Sequence, residues 1–286
     1  MKLYYFKHSE DIRNFGDDIN AWLWEKFMPG IFDDNHDTIF MGIGTILNKK
    51  NQPKAKHTIV FGSGAGYGEL PAIDKTWRIY CVRGPLSAQQ IGLSPDLAIT
   101  DPAVLVNKFI KALKASKKYR FSYMPHLLQA RQGGNSWEKV CRFLGINYID
   151  PQWPVEKVLS LIADTECLLS EALHGAIVAD SLRVPWIPIK TNERIYSFKW
   201  HDWCSSMGIH YTPQCIMPLW NFEKNLGPIS SLRHWVKIKT VVYQLSRILK
   251  KGQPILSKES DLKRAISKLE SKCLEFKADR EAGVYN

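Results

Sequence analysis

Short runs of apolar and β-branched residues recur along the first hundred positions: Leu3–Phe6, Thr38–Met41, Thr58–Phe61 and Arg78–Val82. Their length and composition predict strands, and an apolar face of helical period over Ile19–Phe27 predicts a helix between the first two. The runs end in glycine- or aspartate-containing turns, among them Gly42-Ile43-Gly44, Gly62-Ser63-Gly64-Ala65-Gly66 and Arg83-Gly84-Pro85. Such punctuation is expected where parallel strands deliver the chain to a binding edge. Lys108–Lys118 holds five lysines and no strand signal, which predicts a hinge. Beyond it the rhythm resumes, with strands predicted over Arg120–Met124, Asn147–Ile149, Cys167–Leu169 and Trp186–Ile189, and helices over Ser136–Leu144, Val155–Ile162 and Gly175–Leu182. Two α/β domains are expected, over residues 1–115 and 116–229.

The pattern changes after Pro218. Leu232, Trp235, Val236, Lys239, Val242, Leu245 and Ile248/Leu249 trace a helical stripe flanked by Arg233, Lys237, Arg247, Lys250 and Lys251, predicting a basic amphipathic helix. Past Gly252-Gln253-Pro254, the 4-3-4-3 spacing of Leu262, Ile266, Leu269, Cys273 and Phe276 is that of a short coiled-coil seam. Residues 230–286 thus read as a separate helical tail.

Composition narrows the classes. At 286 residues, 45% hydrophobic and 12% aromatic, the chain is expected to fold rather than remain disordered. No apolar stretch approaches the ~20 residues of a membrane span, and the start turns polar too early for a signal sequence, so a cytoplasmic location is expected. The cysteines at 81, 141, 167, 204, 215 and 273 show no close pairing and suit reduced thiols. Net charge is +11, but Ser230–Arg280 carries 13 Lys+Arg against 5 Asp+Glu, or +8. That asymmetry argues against a nucleic-acid groove spread through the fold. It leaves either a solvated helix face or a tail that meets an anionic surface, such as the inner face of a membrane.

The glycine clusters fail the dinucleotide test, because the third glycine would fall at Tyr67 or Leu47, and neither cluster leads into Gly-Lys-Ser/Thr. His201-x-x-Cys204 with His210 and Cys215 matches no established zinc spacing, and no Gly-x-Ser-x-Gly elbow occurs. More informative is Ser170-Glu171-Ala172-Leu173-His174-Gly175, which follows an apolar strand and opens an apolar helix. It puts His174 at a strand's carboxyl edge beside a helix N-terminus, a position suited to a phosphate or carboxylate, and Gly175 would let a ligand approach the backbone.

Four further segments occupy comparable positions: Asn14-Phe15-Gly16-Asp17-Asp18, Val82-Arg83-Gly84-Pro85, Asp101-Pro102-Ala103 and Pro125-His126. In this order, over roughly residues 1–220, the segments resemble the polysaccharide pyruvyl transferase family, particularly its members that make the pyruvate ketals of exopolysaccharides such as succinoglycan. The resemblance implies a GT-B-like α/β fold, two Rossmann-like domains facing a cleft, followed here by basic C-terminal helices. It also implies transfer of a pyruvyl group from phosphoenolpyruvate to two hydroxyls of one sugar, releasing phosphate, with no metal, no nucleotide and no cofactor beyond the donor itself. The partners implied are phosphoenolpyruvate and a glycan acceptor, polymeric or lipid-linked, with peripheral membrane contact through 230–286 and no nucleic acid.

By the same resemblance His174 is the acid/base or donor-stabilising residue. Glu171 either orients it, accepts a proton or makes a structural hydrogen bond. Asp17 either contacts acceptor hydroxyls or caps a helix. Arg83 either grips the donor carboxylate or phosphate or forms a salt bridge. His126 and Gly175 fall on the donor side, and Asn14, Asp18 and Asp101 on the acceptor side. Many family members carry an arginine where this chain has Ala172, and Lys190, Arg194 and His126 are the candidate replacements in the donor clamp. Two other readings stay open. One is a GT-B glycosyltransferase using a nucleotide sugar, although a Glu-x7-Glu spacing from Glu171 reaches Ala179. The other is a non-catalytic member that uses its tail to bind a membrane or a partner.

Overall fold

The alternation of apolar runs and helices builds two parallel sheets. The computed structural model describes residues 1–9, 12–33, 35–110, 117–193, 195–220 and 228–285. The first sheet has the order β1 (Lys2–Tyr4), β2 (Thr38–Met41), β3 (His57–Phe61), β4 (Trp77–Cys81), with Leu3 opposite Phe40 and Met41 opposite Val60. In the second sheet the order is β6 (Asn147–Tyr148), β5 (Tyr119–Met124), β7 (Thr165–Ser170), β8 (Trp186–Lys190), β9 (Gln214–Cys215). Every pairing between these strands is parallel. Strands buried on both faces need no polar/apolar alternation, which is why β2 and the end of β7 read as continuous apolar runs.

Helices α1 (Phe15–Phe27), α2 (Pro85–Ile91), α3 (Leu127–Gly133), α4 (Asn135–Phe143), α5 (Val155–Ala163), α6 (Leu173–Ser181) and α7 (Ser197–Ser206) connect and cover the strands. The largest apolar cluster joins both halves. Phe15, Ile19 and Trp24 of α1 share it with Val158 of α5 and Ala176 and Ile177 of α6. Most of the expected Lys108–Lys118 hinge lies outside the described residues.

The last two helices do not form a coiled coil with each other. Helix α8 (Pro228–Lys251) turns Val241, Leu245 and Ile248 into the cluster of the second sheet, against Trp137 and Ile189. Helix α9 (Glu259–Glu281) then crosses back to the first sheet, where the 4-3-4-3 residues Leu262, Ile266, Leu269, Cys273 and Phe276 are buried. The Phe276 ring lies 5.6 Å from both Phe40 and Tyr80. A seam of that spacing covers a sheet as readily as a partner helix, since both demand one apolar stripe.

The cysteines are unpaired, five of them buried and Cys215 exposed. Among the described residues, no helix is long and apolar enough to cross a membrane.

Candidate active site

A cavity of about 430 Å³ opens between the two sheets. Its walls follow strand ends: Phe6 and His8 after β1, Thr45 after β2, His126 after β5, Ala172 and His174 after β7. The carboxyl edges of both sheets therefore meet at one hollow, the place where parallel α/β folds leave loops and helix N-termini free for ligands. Two such N-termini arrive here. No side-chain cap closes α6 behind Ala172 and its first turn holds no acid, so its N–H groups keep their capacity for an anion, whereas in α1 the N–H groups of Phe15 and Asp17 already donate to Pro151 and Asn14 and the first turn carries Asp17 and Asp18.

His174 lines the cavity, and a buried carboxylate faces its ring. Asp101 is fully buried; one oxygen accepts from the backbone N–H of Ala103, and the other lies 3.4 Å from His174 Nε2. Neither that second oxygen nor Nε2 has a hydrogen-bond partner among the described residues, so the two face each other at ion-pair distance without a formed hydrogen bond. With Nε2 directed at Asp101, Nδ1 is the nitrogen left for chemistry, an orientation logic shared with hydrolase triads. Gly16, in the first turn of α1, makes room for it: a methyl group there would lie 2.3 Å from His174 Nδ1.

Around the histidine the cavity is polar and cationic. Asn14 and Asp17 line it, the Asn14 amide donating to Asp17 Oδ2 at 2.5 Å, with His8 Nε2 3.5 Å from the same oxygen. Helix α1 starts at Phe15, so Asp17 lies inside the first turn, and the capping position belongs to Asn14. Lys50 and Lys199 also line the cavity. Among the described residues Lys199 has no ion-pair partner, and its ammonium lies 6.0 Å from the centroid of the Tyr67 ring.

His126 contributes an uncharged ring. Burial, with smaller contributions from Lys199 and His8, pushes its pKa from 6.5 down to about 3. Nδ1 accepts from the backbone N–H of Leu128, so Nε2 carries the proton and can donate. The expectation of a cationic donor contact at this residue thus becomes one of a neutral hydrogen-bond donor. A depressed folded-state pKa means that the unfolded chain binds the extra proton first. The stability tied to His126 is complete above about pH 6.5 and is lost as pH falls toward 3. Thermal unfolding followed across that window should show a steep acid limb, shallower in His126→Asn, which retains the helix cap without titrating.

Other expected site residues stand away from the cavity wall. Arg83 is fully buried, donating from Nε to Asp202 at 3.0 Å and from Nη1 to Thr45 Oγ1 at 2.7 Å. The salt-bridge alternative is the one its geometry follows. Asp202, on α7, also accepts from the backbone N–H of Ser87 in α2 at 2.9 Å, so the pair pins α7 to the first half of the chain. Gly64 serves this pair, since a methyl there would lie 2.2 Å from the Arg83 guanidinium carbon. Part of the glycine cluster thus accommodates an internal cation rather than a ligand.

Glu171 accepts from the backbone N–H groups of His126 at 3.0 Å and Thr191 at 2.6 Å, and from the Thr191 hydroxyl. These bonds tie together the ends of β5, β7 and β8. Burial raises its pKa, opposed by those same bonds. Gly175 is explained by packing, because a methyl there would lie 2.7 Å from Met124 Sδ and Ser170 Oγ. Lys190 pairs with Glu193 at 2.6 Å, and Asp18 lies 3.6 Å from Arg13. Arg194 lies outside the described residues.

Lys199, Lys50 and His8 were missed by sequence reasoning. Lys199 lies nine residues beyond the end of β8, within α7, whose apolar pattern is too irregular to announce a helix that would turn it inward. Ala172 lines the cavity, so a longer side chain at that position would reach into it.

The family model described as polysaccharide pyruvyl transferase matches residues 4–193, a span that holds both sheet edges and His174. A curated relative, the succinoglycan biosynthesis protein ExoV of Rhizobium meliloti (strain 1021), is 43% identical over 216 residues, covering 75% of this chain and 67% of its own length. With a family model over well over half of the chain and a relative of that identity and extent, the chain belongs to the polysaccharide pyruvyl transferase family.

Proposed function

We propose that this protein is a phosphoenolpyruvate-dependent pyruvyl transferase of exopolysaccharide synthesis, forming a cyclic pyruvate ketal on a polymeric or lipid-linked glycan, with no metal or cofactor taking part. The observation that carries the reading is His174, facing the buried Asp101, at a cavity reached by the uncapped N-terminus of α6. The two sheets fit a GT-B-like arrangement of Rossmann-like domains over residues 1–115 and 116–229.

Phosphoenolpyruvate carries a phosphate and a carboxylate on a three-carbon frame. The N-terminus of α6 with Lys199 and His126 suits a donor that carries these two anionic groups. Addition of one sugar hydroxyl to C2 requires a proton on the methylene carbon, which becomes the methyl group. Attack of the second hydroxyl at C2 expels phosphate and closes the ring. Of the two hydroxyl protons, one balances the new methyl and the other leaves with phosphate. His174 Nδ1 is suited to pass a proton between hydroxyl and methylene, with Asp101 holding the ring. Asn14 and Asp17 are suited to the acceptor hydroxyls, and Lys199 takes the part that the resemblance gave to an arginine at position 172.

Incubation with phosphoenolpyruvate and a glycan of the succinoglycan type should release phosphate and leave an acid-labile ketal on the sugar. Lys199→Ala should raise KM for phosphoenolpyruvate by about 10- to 100-fold, the worth of one charge-assisted hydrogen bond. Absence of phosphate release across a broad acceptor panel, or protection from heat by a nucleotide sugar instead of phosphoenolpyruvate, would overturn the reading in favour of a glycosyltransferase.

A further inference from the structure

The positive charge of the C-terminal region is concentrated in one helix. Helix α9 carries six Lys+Arg and six Asp+Glu, whereas α8 carries six Lys+Arg (Arg233, Lys237, Lys239, Arg247, Lys250, Lys251) and no acidic residue. Helix α8 also has two apolar faces. One packs on the second sheet through Val241, Leu245 and Ile248. The other points outward: Leu232, Trp235, Val236 and Tyr243 are 63, 57, 48 and 68% exposed, at helical spacings i, i+3, i+4 and i+11.

Phe143, at the end of α4, extends this outer stripe and is 72% exposed. The Lys239 ammonium lies 5.5 Å from the Trp235 ring and 6.0 Å from the Phe143 ring, so cation and aromatics form one patch. Packing among the described residues does not account for these side chains, and a contiguous apolar patch with basic residues through it marks a contact surface.

We propose that the outer face of α8, with Phe143, docks in the interfacial layer of an anionic lipid bilayer. Charge complementarity selects this occupant. A second copy of the chain docking by the same face would set six cations against six, with no carboxylate on either helix to answer them. A bilayer supplies both anionic headgroups for Arg247, Lys239 and Lys250 and an apolar layer for the side chains between them. Trp and Tyr are the aromatic residues favoured at that depth. The inner face of α8 fixes the helix to the second sheet, so the patch is presented by a rigid body, unlike a free tail that would order only on the surface. The inference is independent of which donor the cavity takes.

The test uses the full chain and sedimentation with vesicles of phosphatidylcholine, with and without phosphatidylglycerol. Expected is binding only to the phosphatidylglycerol vesicles, weakening with salt. Lys239→Gln/Arg247→Gln should lower partitioning about 25-fold, at about fivefold per charge. Trp235→Ser/Tyr243→Ser should lower it by at least about tenfold, with the thermal unfolding profile and phosphate release on a soluble acceptor unchanged. Activity without vesicle binding would reject the docking face and leave the transferase reading standing; binding without activity would do the reverse. Unchanged binding by either variant, equal binding to neutral vesicles, or a dimer that dissociates when Trp235 and Tyr243 are replaced would overturn the proposal.

Discussion

Alanine at position 16 is expected to cost roughly 100-fold or more in kcat while leaving the protein folded. Gly16 lies within the first turn of α1 and has no left-handed backbone requirement, so the helix itself accepts alanine with a gain of up to ~1 kcal/mol. The obstacle is the imidazole. A methyl 2.3 Å from His174 Nδ1 drives the ring away by about 1 Å to reach ordinary contact. That shift opens the 3.4 Å approach of Nε2 to Asp101 and moves Nδ1 off the reacting atoms. His174→Ala should be at least as severe, and Gly16→Ala/His174→Ala no worse than His174→Ala alone, because both changes remove one function. Steady-state phosphate release and thermal unfolding on the three variants decide the matter. Full activity in Gly16→Ala would sink the assignment of His174 as the group that handles protons.

The second large effect falls on stability. Asp202→Ala leaves Arg83 charged, fully buried and without its carboxylate, in a site where Nη2 already lacks a partner among the described residues. Breaking a buried pair from one side costs about 3–5 kcal/mol, far more than the pair contributes over an apolar substitute. For a chain of this size that corresponds to a fall in Tm on the order of 10 °C. Arg83→Met/Asp202→Leu, which removes both charges, should recover much of the loss. Asp202 and Lys199 share α7 at a spacing of three residues, so loosening the pair should also raise KM for the donor. A melting temperature within a degree of the parent would show that the pair is not what holds α7 to the first half.

Strands β2, β3 and the end of β7 were legible because a parallel sheet covered on both faces leaves short unbroken apolar runs, and polar or glycine-containing turns mark where the runs end. The same punctuation located His174, His126, Asn14 and Asp17 at what became the cavity wall. Helix α2 escaped notice because it has seven residues and begins at a proline, which reads as a turn. What sequence spacing could not supply is pairing across the chain. Arg83 meets Asp202 over 119 positions, and its arginine carries the same local signal whether it faces a ligand or a buried carboxylate. Asp101 likewise read as an open strand-end acid, yet it turns inward toward His174. The +8 counted over the C-terminal stretch divides between one balanced helix, α9, and one with no acidic residue, α8, the stretch that the sequence pattern had marked as a basic amphipathic helix.

The return of α9 to the first sheet sets the order in which this protein can be completed during synthesis. A multidomain chain ordinarily closes its N-terminal unit while the rest is still being made. Here Phe40 and Tyr80 keep an open apolar face until Phe276 has cleared the ribosome, some two hundred residues after Tyr80. The first sheet therefore gains the last of its cover only when α9 is made, and a nascent chain stalled in α8 leaves Phe40 and Tyr80 without the Phe276 ring.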